Sequence, residues 1–74
     1  GMKIAVVGLG YVGLSNAVLL AQAHEVTAVD VNAARVAMVN DRLSPIVDSD
    51  LERFLAQKPR HLVATTDLAA ATAT

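Results

Sequence analysis

Apolar and polar residues follow two different periods along this chain, and the changes of period divide it into seven elements. Short runs that are apolar on both sides are typical of buried parallel strands. Three such runs are predicted as strands: Lys3 to Val7, Glu25 to Asp30, and His61 to Thr65. Stretches with apolar residues at helical spacing separate these strands and follow the last one. The order βαβ(αα)βα predicts an α/β fold, the N-terminal part of a doubly wound parallel sheet.

The first two helices are predicted from their apolar stripes and from one capping residue. The first runs from Tyr11 to about Ala23. Asn32 can cap the second helix, which continues to about Asp41. The residues expected to face inward are Leu14, Ala17, Val18 and Ala21 in the first helix, and Val36, Val39 and Leu43 in the second.

The other two helices are shorter and are predicted mainly from their start signals. Ser49 and Glu52 form a capping-box pattern, and Pro59 ends the helix that follows. Its apolar stripe consists of Leu51, Phe54 and Leu55. Thr66 or Asp67 can cap the fourth helix, which begins only a few residues before the last residue of the sequence.

A glycine-rich turn joins the first predicted strand to the first predicted helix. Gly8, Gly10 and Gly13 match the pattern G-x-G-x-x-G in the strand, turn and helix setting that binds dinucleotides. The first glycine permits the tight turn, the second lets the backbone approach a pyrophosphate, and the third lets helix and strand pack closely. We expect the backbone N–H groups of Tyr11 and Val12 to face the phosphates at the positive end of the helix dipole. The sheet is therefore interpreted as Rossmann-type.

Two charged residues downstream fit the same cofactor site. Asp30 ends the second strand, close to the spacing of about 20 residues expected for the carboxylate that binds the adenosine ribose. A carboxylate there repels a 2′-phosphate, which favours NAD over NADP. Asp30 could also cap the helix at Asn32. Arg35 could lie along the adenosine beside Asp30, or it could be an ordinary solvated surface arginine.

Composition narrows the possible partners. The 74 residues are 54% hydrophobic and 18% charged, with a net charge of −1, which is typical of one small globular domain. Six scattered Lys and Arg residues give no basic surface for nucleic acid or for an anionic membrane. There is no cysteine, so the chain has no disulfide and no thiol nucleophile. His24 and His61 have no ligand partners at metal-binding spacing, so we predict no metal site. We also predict a cytoplasmic location.

One rival interpretation concerns the uncharged residues 4–23. Their length suits a membrane span, and Ala21-Gln22-Ala23 resembles the cleavage site of a secretory signal. Three glycines with Ser15, Asn16 and Gln22 make a poor membrane helix, and cleavage after Ala23 would leave too little chain for a core. The globular interpretation is favoured over both export and membrane insertion.

The stretches GLGYVGLSNAVLLAQAHEV, AVDVNAARVAMVNDRLSPIVD and FLAQ make the sequence similar to the UDP-glucose/GDP-mannose dehydrogenase family. The resemblance covers residues 2–74, and Gly1 is interpreted as the remnant of an expression tag. It implies an NAD-binding Rossmann domain, with Gly8 to Gly13 as the cofactor turn. It also makes Asp30 the ribose ligand and favours a contact of Arg35 with the adenosine.

The resemblance also implies a reaction. Family members oxidise the C6 alcohol of a nucleotide sugar to a carboxylate in two NAD-dependent steps, with a cysteine holding a thioester. In such proteins the cysteine, the catalytic lysine and the sugar-binding domain lie beyond position 74. The chain has no catalytic residue of its own and is expected to be inactive alone.

Three alternatives for the function stay open at this point. The overall likeness favours UDP-glucose as the sugar nucleotide, but a GDP-mannose or UDP-N-acetylsugar dehydrogenase of the same family would share the cofactor turn. A non-catalytic nucleotide-binding or assembly module is the third interpretation.

The predicted topology leaves one edge of the sheet open. In the strand order 3-2-1-4, the strand Lys3 to Val7 is central and a fourth strand lies beside it. The sequence contains no fourth strand, so the Lys3 to Val7 edge should be exposed. Two right-handed crossovers place the early helices on one face, and the other face keeps only the last helix. We expect the chain alone to self-associate through this edge and face.

Overall fold

The structure is a computed structural model that describes residues 1–72. Its strands are β1 (Lys3–Val7), β2 (Glu25–Val29) and β3 (Leu62–Thr65), and its helices are α1 (Tyr11–Leu20), α2 (Ala33–Asn40), α3 (Ser49–Ala56) and α4 (Leu68–Thr72). The strands form one parallel sheet in the order β1-β2-β3. The predicted α/β fold and strand order are confirmed, and the end of the predicted fourth helix lies outside the described residues.

One face of the sheet carries the core. Side chains alternate between the faces of a strand, so residues at every second position point the same way. The inward positions, which align in register across the three strands, are Ile4 and Val6, Val26 and Ala28, and Leu62 and Ala64. They pack against apolar side chains of α1, α2 and α3, including the fully buried Leu14, Val39 and Leu55. This layer supplies most of the buried apolar surface that stabilises the fold.

The opposite face of the sheet is more exposed. Val7 keeps 67% of its surface accessible and Val63 keeps 51%. α4 contacts β1 and β2, and its Ala70 and Ala71 border a groove together with Thr27 and Val63. Right-handed crossovers place the earlier helices on the first face, which leaves this face to α4 alone within residues 1–72.

Two helix starts resolve questions about capping. Asp48, rather than Ser49, is the N-cap of α3, because its carboxylate accepts hydrogen bonds from the N–H groups of Asp50 and Leu51, both at 3.0 Å. The predicted capping box was wrong by one residue, since Ser49 already lies in the first turn. Of the two candidates for α4, Asp67 accepts the N–H of Ala70 at 3.0 Å.

The end of α2 explains why Leu43 is not in the core. Arg42 has a φ of +65°, and its N–H bonds the Val39 carbonyl at 3.0 Å. The Leu43 N–H bonds the Met38 carbonyl at 2.8 Å, which completes a Schellman motif. Because the helical spacing stops at Asp41, Leu43 turns away and is 57% exposed, contrary to the prediction that it faces inward.

The uncharged segment of the rival interpretation is divided between β1, the glycine turn and α1. α1 has 10 residues and ends at Leu20, three residues before the predicted end at Ala23. The Ala21 N–H bonds the Ala17 carbonyl at 2.9 Å and the Gln22 N–H bonds the Leu19 carbonyl at 3.3 Å, which closes the helix. Among residues 1–72, no helix is both long and apolar enough to cross a bilayer.

Side chains from α2 and the turn after it cover the outer edge of β3. The Asn40 side chain donates to the Ala64 carbonyl at 2.9 Å and accepts the Ala64 N–H at 2.8 Å. The Arg42 guanidinium donates to the Leu62 carbonyl at 2.9 Å. Three backbone groups on this edge are therefore bonded without another strand.

Candidate functional site

The glycine turn connects the carboxyl end of β1 to the start of α1. Gly8 has a φ of +103°, a conformation that residues with a Cβ rarely adopt, and its N–H donates to the Val29 carbonyl at 2.6 Å. A Cβ on Gly13 would overlap the Gly8 carbonyl group, whose carbon would be only 2.9 Å away. Glycine at these two positions thus permits the turn itself and the close approach of α1 to the end of β1.

The amino end of α1 is open. Gly10 is its N-cap and has no side chain to accept a helix N–H, and a Cβ there would meet no atom within 4 Å. The first intrahelical bond runs from the Leu14 N–H to the Gly10 carbonyl at 2.9 Å, so the N–H groups of Tyr11 and Val12 precede it. These donors, together with the positive end of the helix dipole, leave space and charge suited to an anion.

Leu9 is the residue that sequence reasoning missed. It lies between two glycines of the turn, yet its side chain is fully buried in the core. Its N–H donates to Oδ2 of Asp30 at 2.8 Å. Its apolar side chain between two glycines was the available signal, but the partner of its N–H is distant in sequence and could not be found from the local pattern.

The Asp30 carboxylate lies between two loops at the carboxyl end of the sheet. Besides the bond from Leu9, its Oδ1 accepts the Asn32 N–H at 2.8 Å. The hydrogen bond from Asn32 and then that from Leu9 hold the pKa of Asp30 below its usual value of 3.8. They outweigh the opposing effect of partial burial, and the positive charge of Arg35 adds a smaller lowering contribution. The group is therefore ionised near neutral pH.

The cap of α2 is Asn32 rather than Asp30. The Asn32 side chain accepts the Arg35 N–H at 3.1 Å, as predicted for this helix start. Asp30 precedes the cap and accepts the backbone N–H of Asn32 on Oδ1 and that of Leu9 on Oδ2. Because each oxygen accepts one bond, each keeps room for a further donor.

Arg35 lies in the first turn of α2, at the same carboxyl end of the sheet as Asp30. Its side chain is half-buried and makes no hydrogen bond or salt bridge within residues 1–72. The structure therefore brings together all seven predicted site residues at the carboxyl ends of β1 and β2: Gly8, Gly10, Tyr11, Val12, Gly13, Asp30 and Arg35. Parallel α/β sheets bind their ligands at this end, outside the carboxyl ends of the strands.

The opposite end of the sheet has less specific features. The shallow groove beside α4 has a volume of about 330 Å³ and extends to this end, where the strand starts, Arg60 and His61 border it. It contains none of the predicted site residues. In the part of the chain that the structure describes, no group of three His, Asp or Glu side chains could hold a metal ion.

Comparison with known proteins identifies similar sequences and a similar structure. Residues 2–74 match the model of the UDP-glucose/GDP-mannose dehydrogenase family, NAD binding domain. UDP-glucose 6-dehydrogenase of Streptococcus pneumoniae is 53% identical over 66 residues, which are 89% of this chain and 17% of that protein. GDP-mannose 6-dehydrogenase of Pseudomonas putida is 44% identical over 73 residues, which are 95% of this chain and 17% of that protein.

The structural comparison agrees with the sequence comparison. The 1.55 Å crystal structure of a ternary complex of GDP-mannose dehydrogenase from Pseudomonas aeruginosa superposes with a TM-score of 0.87 at 41% sequence identity. The match covers 95% of this chain and 17% of that chain. The chain thus spans less than a fifth of the length of the proteins it resembles.

Proposed function

Since the chain belongs to the UDP-glucose/GDP-mannose dehydrogenase family, we propose that it is the cofactor-binding part of a UDP-glucose 6-dehydrogenase. Residues 2–74 match the NAD-binding domain of that family, whose members are NAD-dependent sugar-nucleotide dehydrogenases. The observation that carries the choice of sugar is the 53% identity to the pneumococcal UDP-glucose enzyme, against 44% to the P. putida GDP-mannose enzyme. Bound NAD would supply the hydride acceptor for oxidation of the sugar alcohol.

In this proposal, the glycine turn binds the pyrophosphate of NAD. The space beside Gly10, where a Cβ would meet no atom, lets the phosphates approach the backbone. The uncapped N–H groups of Tyr11 and Val12 would donate to them. No side chain of the turn carries a charge, so the backbone and the helix dipole supply the attraction.

Asp30 binds the adenosine ribose in the same proposal. Its ionised carboxylate has free acceptor positions for the two ribose hydroxyls, and it would repel the 2′-phosphate of NADP. Arg35, on the first turn of α2, would lie along the adenosine side of the cofactor.

Titration of the labelled chain with NAD and NADP, followed by amide NMR, tests the cofactor site. We expect NAD to shift the amides of residues 8–13 and 30–35, and to bind more tightly than NADP. Asp30→Ala should weaken NAD binding by roughly tenfold or more, because a charge-assisted hydrogen bond to the ribose is lost. Shifts confined to the groove at the opposite end of the sheet would contradict this assignment.

Activity of the complete protein that contains residues 2–74 tests the choice of sugar. We expect it to reduce NAD with UDP-glucose and to be slow with GDP-mannose. Faster turnover of GDP-mannose would replace the proposal with the alternative that the P. aeruginosa structure supports. The 74-residue chain alone, which has no cysteine, should reduce NAD with neither sugar.

The proposal extends to the behaviour of the 74-residue chain by itself. The N–H and C=O groups of Lys3, Ala5 and Val7 point away from β2, and residues 1–72 provide no partner for them. We expect these groups and the exposed Val7 to drive self-association. Sedimentation velocity should therefore show species that grow with protein concentration, whereas a monodisperse monomer at all concentrations would contradict this expectation.

A further inference from the structure

The Asp30 carboxylate joins the glycine turn to the loop before α2. Oδ2 accepts the N–H of Leu9 and Oδ1 accepts the N–H of Asn32, each at 2.8 Å. We propose that Asp30 is a positioning residue for the glycine turn as well as a ribose ligand, and that it holds the amino end of α1 ready for the pyrophosphate. This inference rests on the proposed binding of NAD at the turn.

The turn has few side-chain contacts to hold it, and its other bonds are those of the Gly8 N–H to the Val29 carbonyl and of the Leu14 N–H to the Gly10 carbonyl. Glycine loses more conformational freedom on folding than any other residue, and Gly8 and Gly10 have no side chains to pack. No atom lies within 4 Å of where their Cβ atoms would be. Between them, Leu9 is fixed from one side by its buried side chain and from the other by Asp30.

The same carboxylate can serve both roles without competition. An ionised carboxylate has about four acceptor positions, and the two backbone N–H groups use one on each oxygen. Two positions remain for the ribose hydroxyls. Hydrogen bonds to a charged acceptor are stronger than neutral ones, which suits a group that must fix a flexible turn.

Separate ligands distinguish the two roles. Inorganic pyrophosphate has no ribose, so a residue that is only a ribose ligand should not support its binding. Removing a negative charge near the site would by itself tighten pyrophosphate binding, because a repulsion is lost. Loss of turn order would weaken it. The sign of the change in pyrophosphate affinity therefore separates positioning from simple ribose binding.

The experiment compares wild-type protein, Asp30→Asn and the control Asp48→Asn with NAD and with inorganic pyrophosphate. Asp48 is a matched control because its carboxylate also accepts two backbone N–H bonds, those of Asp50 and Leu51. We expect Asp30→Asn to weaken pyrophosphate binding by about threefold or more, and to raise the mobility of residues 8–13 in heteronuclear NOE measurements without ligand. Asp48→Asn should change neither quantity.

Three outcomes would overturn the inference or the function beneath it, and they can be told apart. Unchanged or tighter pyrophosphate binding in Asp30→Asn, with weaker NAD binding, would leave Asp30 as a ribose ligand only. Equal effects of Asp48→Asn would show a general loss of stability. If wild-type protein binds neither ligand, the proposed function fails, and the NOE comparison still decides whether Asp30 orders the turn.

A pH titration of wild-type protein answers the same question if Asp30→Asn does not fold. The folded-state pKa of Asp30 is lowered, so its stabilising contribution is present above 3.8 and is lost as the pH falls through the folded value. Arg35 is the charged neighbour that contributes to this lowering. As the pH falls, we expect the amide shifts of Leu9 and Asn32 to change together with that of the Asp30 carboxyl carbon. The protection of the amides of residues 9–13 from hydrogen exchange, relative to their intrinsic rates at each pH, should decrease. A Leu9 amide that ignores this titration would overturn the inference.

Discussion

The two edge strands differ in how far their outward backbone groups are hydrogen-bonded. On the β3 edge, the outward groups of Ala64 and the Leu62 carbonyl bond to the side chains of Asn40 and Arg42. Asn40 is the last residue of α2, which packs against β3, and Arg42 lies in the turn after it. On this edge, side chains therefore occupy backbone groups that a further strand would need for pairing.

On the β1 edge, the outward groups of Lys3, Ala5 and Val7 have no partner within residues 1–72. Exposed strand edges favour pairing with further strands, and lysine on an edge opposes such pairing only in part. In the doubly wound order, a fourth strand lies beside β1. The difference between the edges favours pairing of a further strand with β1 over pairing with β3, where side chains of α2 and the turn after it already bond three backbone groups.

The largest predicted effect distinguishes the bonded side of β1 from its open side. Ile4 points its N–H toward β2, whereas Ala5 points its N–H outward. Ile4→Pro should lower the free energy of unfolding by about 3 kcal/mol or more, because it removes both a ladder bond and the Ile4 side chain that packs against the core. Ala5→Pro should cost much less, because proline is tolerated where the N–H faces solvent, and it should reduce self-association. Urea unfolding and sedimentation measure the two effects.

A side-chain control completes this comparison. Ile4 packs against the core, so Ile4→Ala is needed to measure the loss of apolar contact alone. The excess loss in Ile4→Pro over Ile4→Ala reports the ladder bond. Equal losses for Ala5→Pro and Ile4→Pro would show that β1 is not paired in the register described.

The open edge could be predicted from the sequence, but the closed edge could not. The run Lys3 to Val7 and the single glycine turn after it fixed the bounds of β1 and its place in the strand order. The sequence pattern predicts no role for Asn40 and Arg42, because their partners Ala64 and Leu62 lie 24 and 20 residues away. Local patterns of apolar residues carry no information about which side chain meets a distant backbone group.

The candidate site shows the same division. The glycine spacing and the position of Asp30 were sufficient to predict that the site residues lie together at the carboxyl end of the sheet. The bond between Asp30 and the Leu9 N–H joins residues 21 positions apart and was not foreseen. Likewise, the choice of Asp48 over Ser49 as a cap depends on a one-residue difference in backbone conformation that side-chain type does not decide.

A second prediction opens the closed edge. Asn40→Ala removes both hydrogen bonds to Ala64 and should lower the free energy of unfolding by about 2 kcal/mol, at about 1 kcal/mol for each bond. It should also increase self-association, because β3 then presents a free N–H and a free C=O. Asn16→Ala is the matched control on α1, where an exposed asparagine makes no hydrogen bond within residues 1–72. If both variants lose stability equally, Asn40 does not close the edge.

The smallest predicted effect concerns Arg42, which combines a positive φ with a bond to the Leu62 carbonyl. Arg42→Ala loses this bond and the longer side-chain bond to the Val39 carbonyl at 3.3 Å, keeps the unfavourable backbone conformation, and should cost about 1 kcal/mol. Arg42→Gly loses the same bonds but adopts a φ of +65° without steric cost, so its stability should stay close to that of the wild type. Chemical unfolding measures both values.

Lys58 provides the matched backbone for this last comparison. It follows α3 with a φ of +56°, and its side chain makes no hydrogen bond within residues 1–72. Lys58→Gly should therefore stabilise the chain by up to about 1 kcal/mol, through relief of the backbone alone. The difference between Lys58→Gly and Arg42→Gly then reports the two side-chain hydrogen bonds of Arg42, to the Leu62 carbonyl on the β3 edge at 2.9 Å and to the Val39 carbonyl at 3.3 Å. If the two glycine variants are equally stabilised, the Arg42 side chain contributes nothing to stability, and Asn40 alone separates the closed edge from the open one.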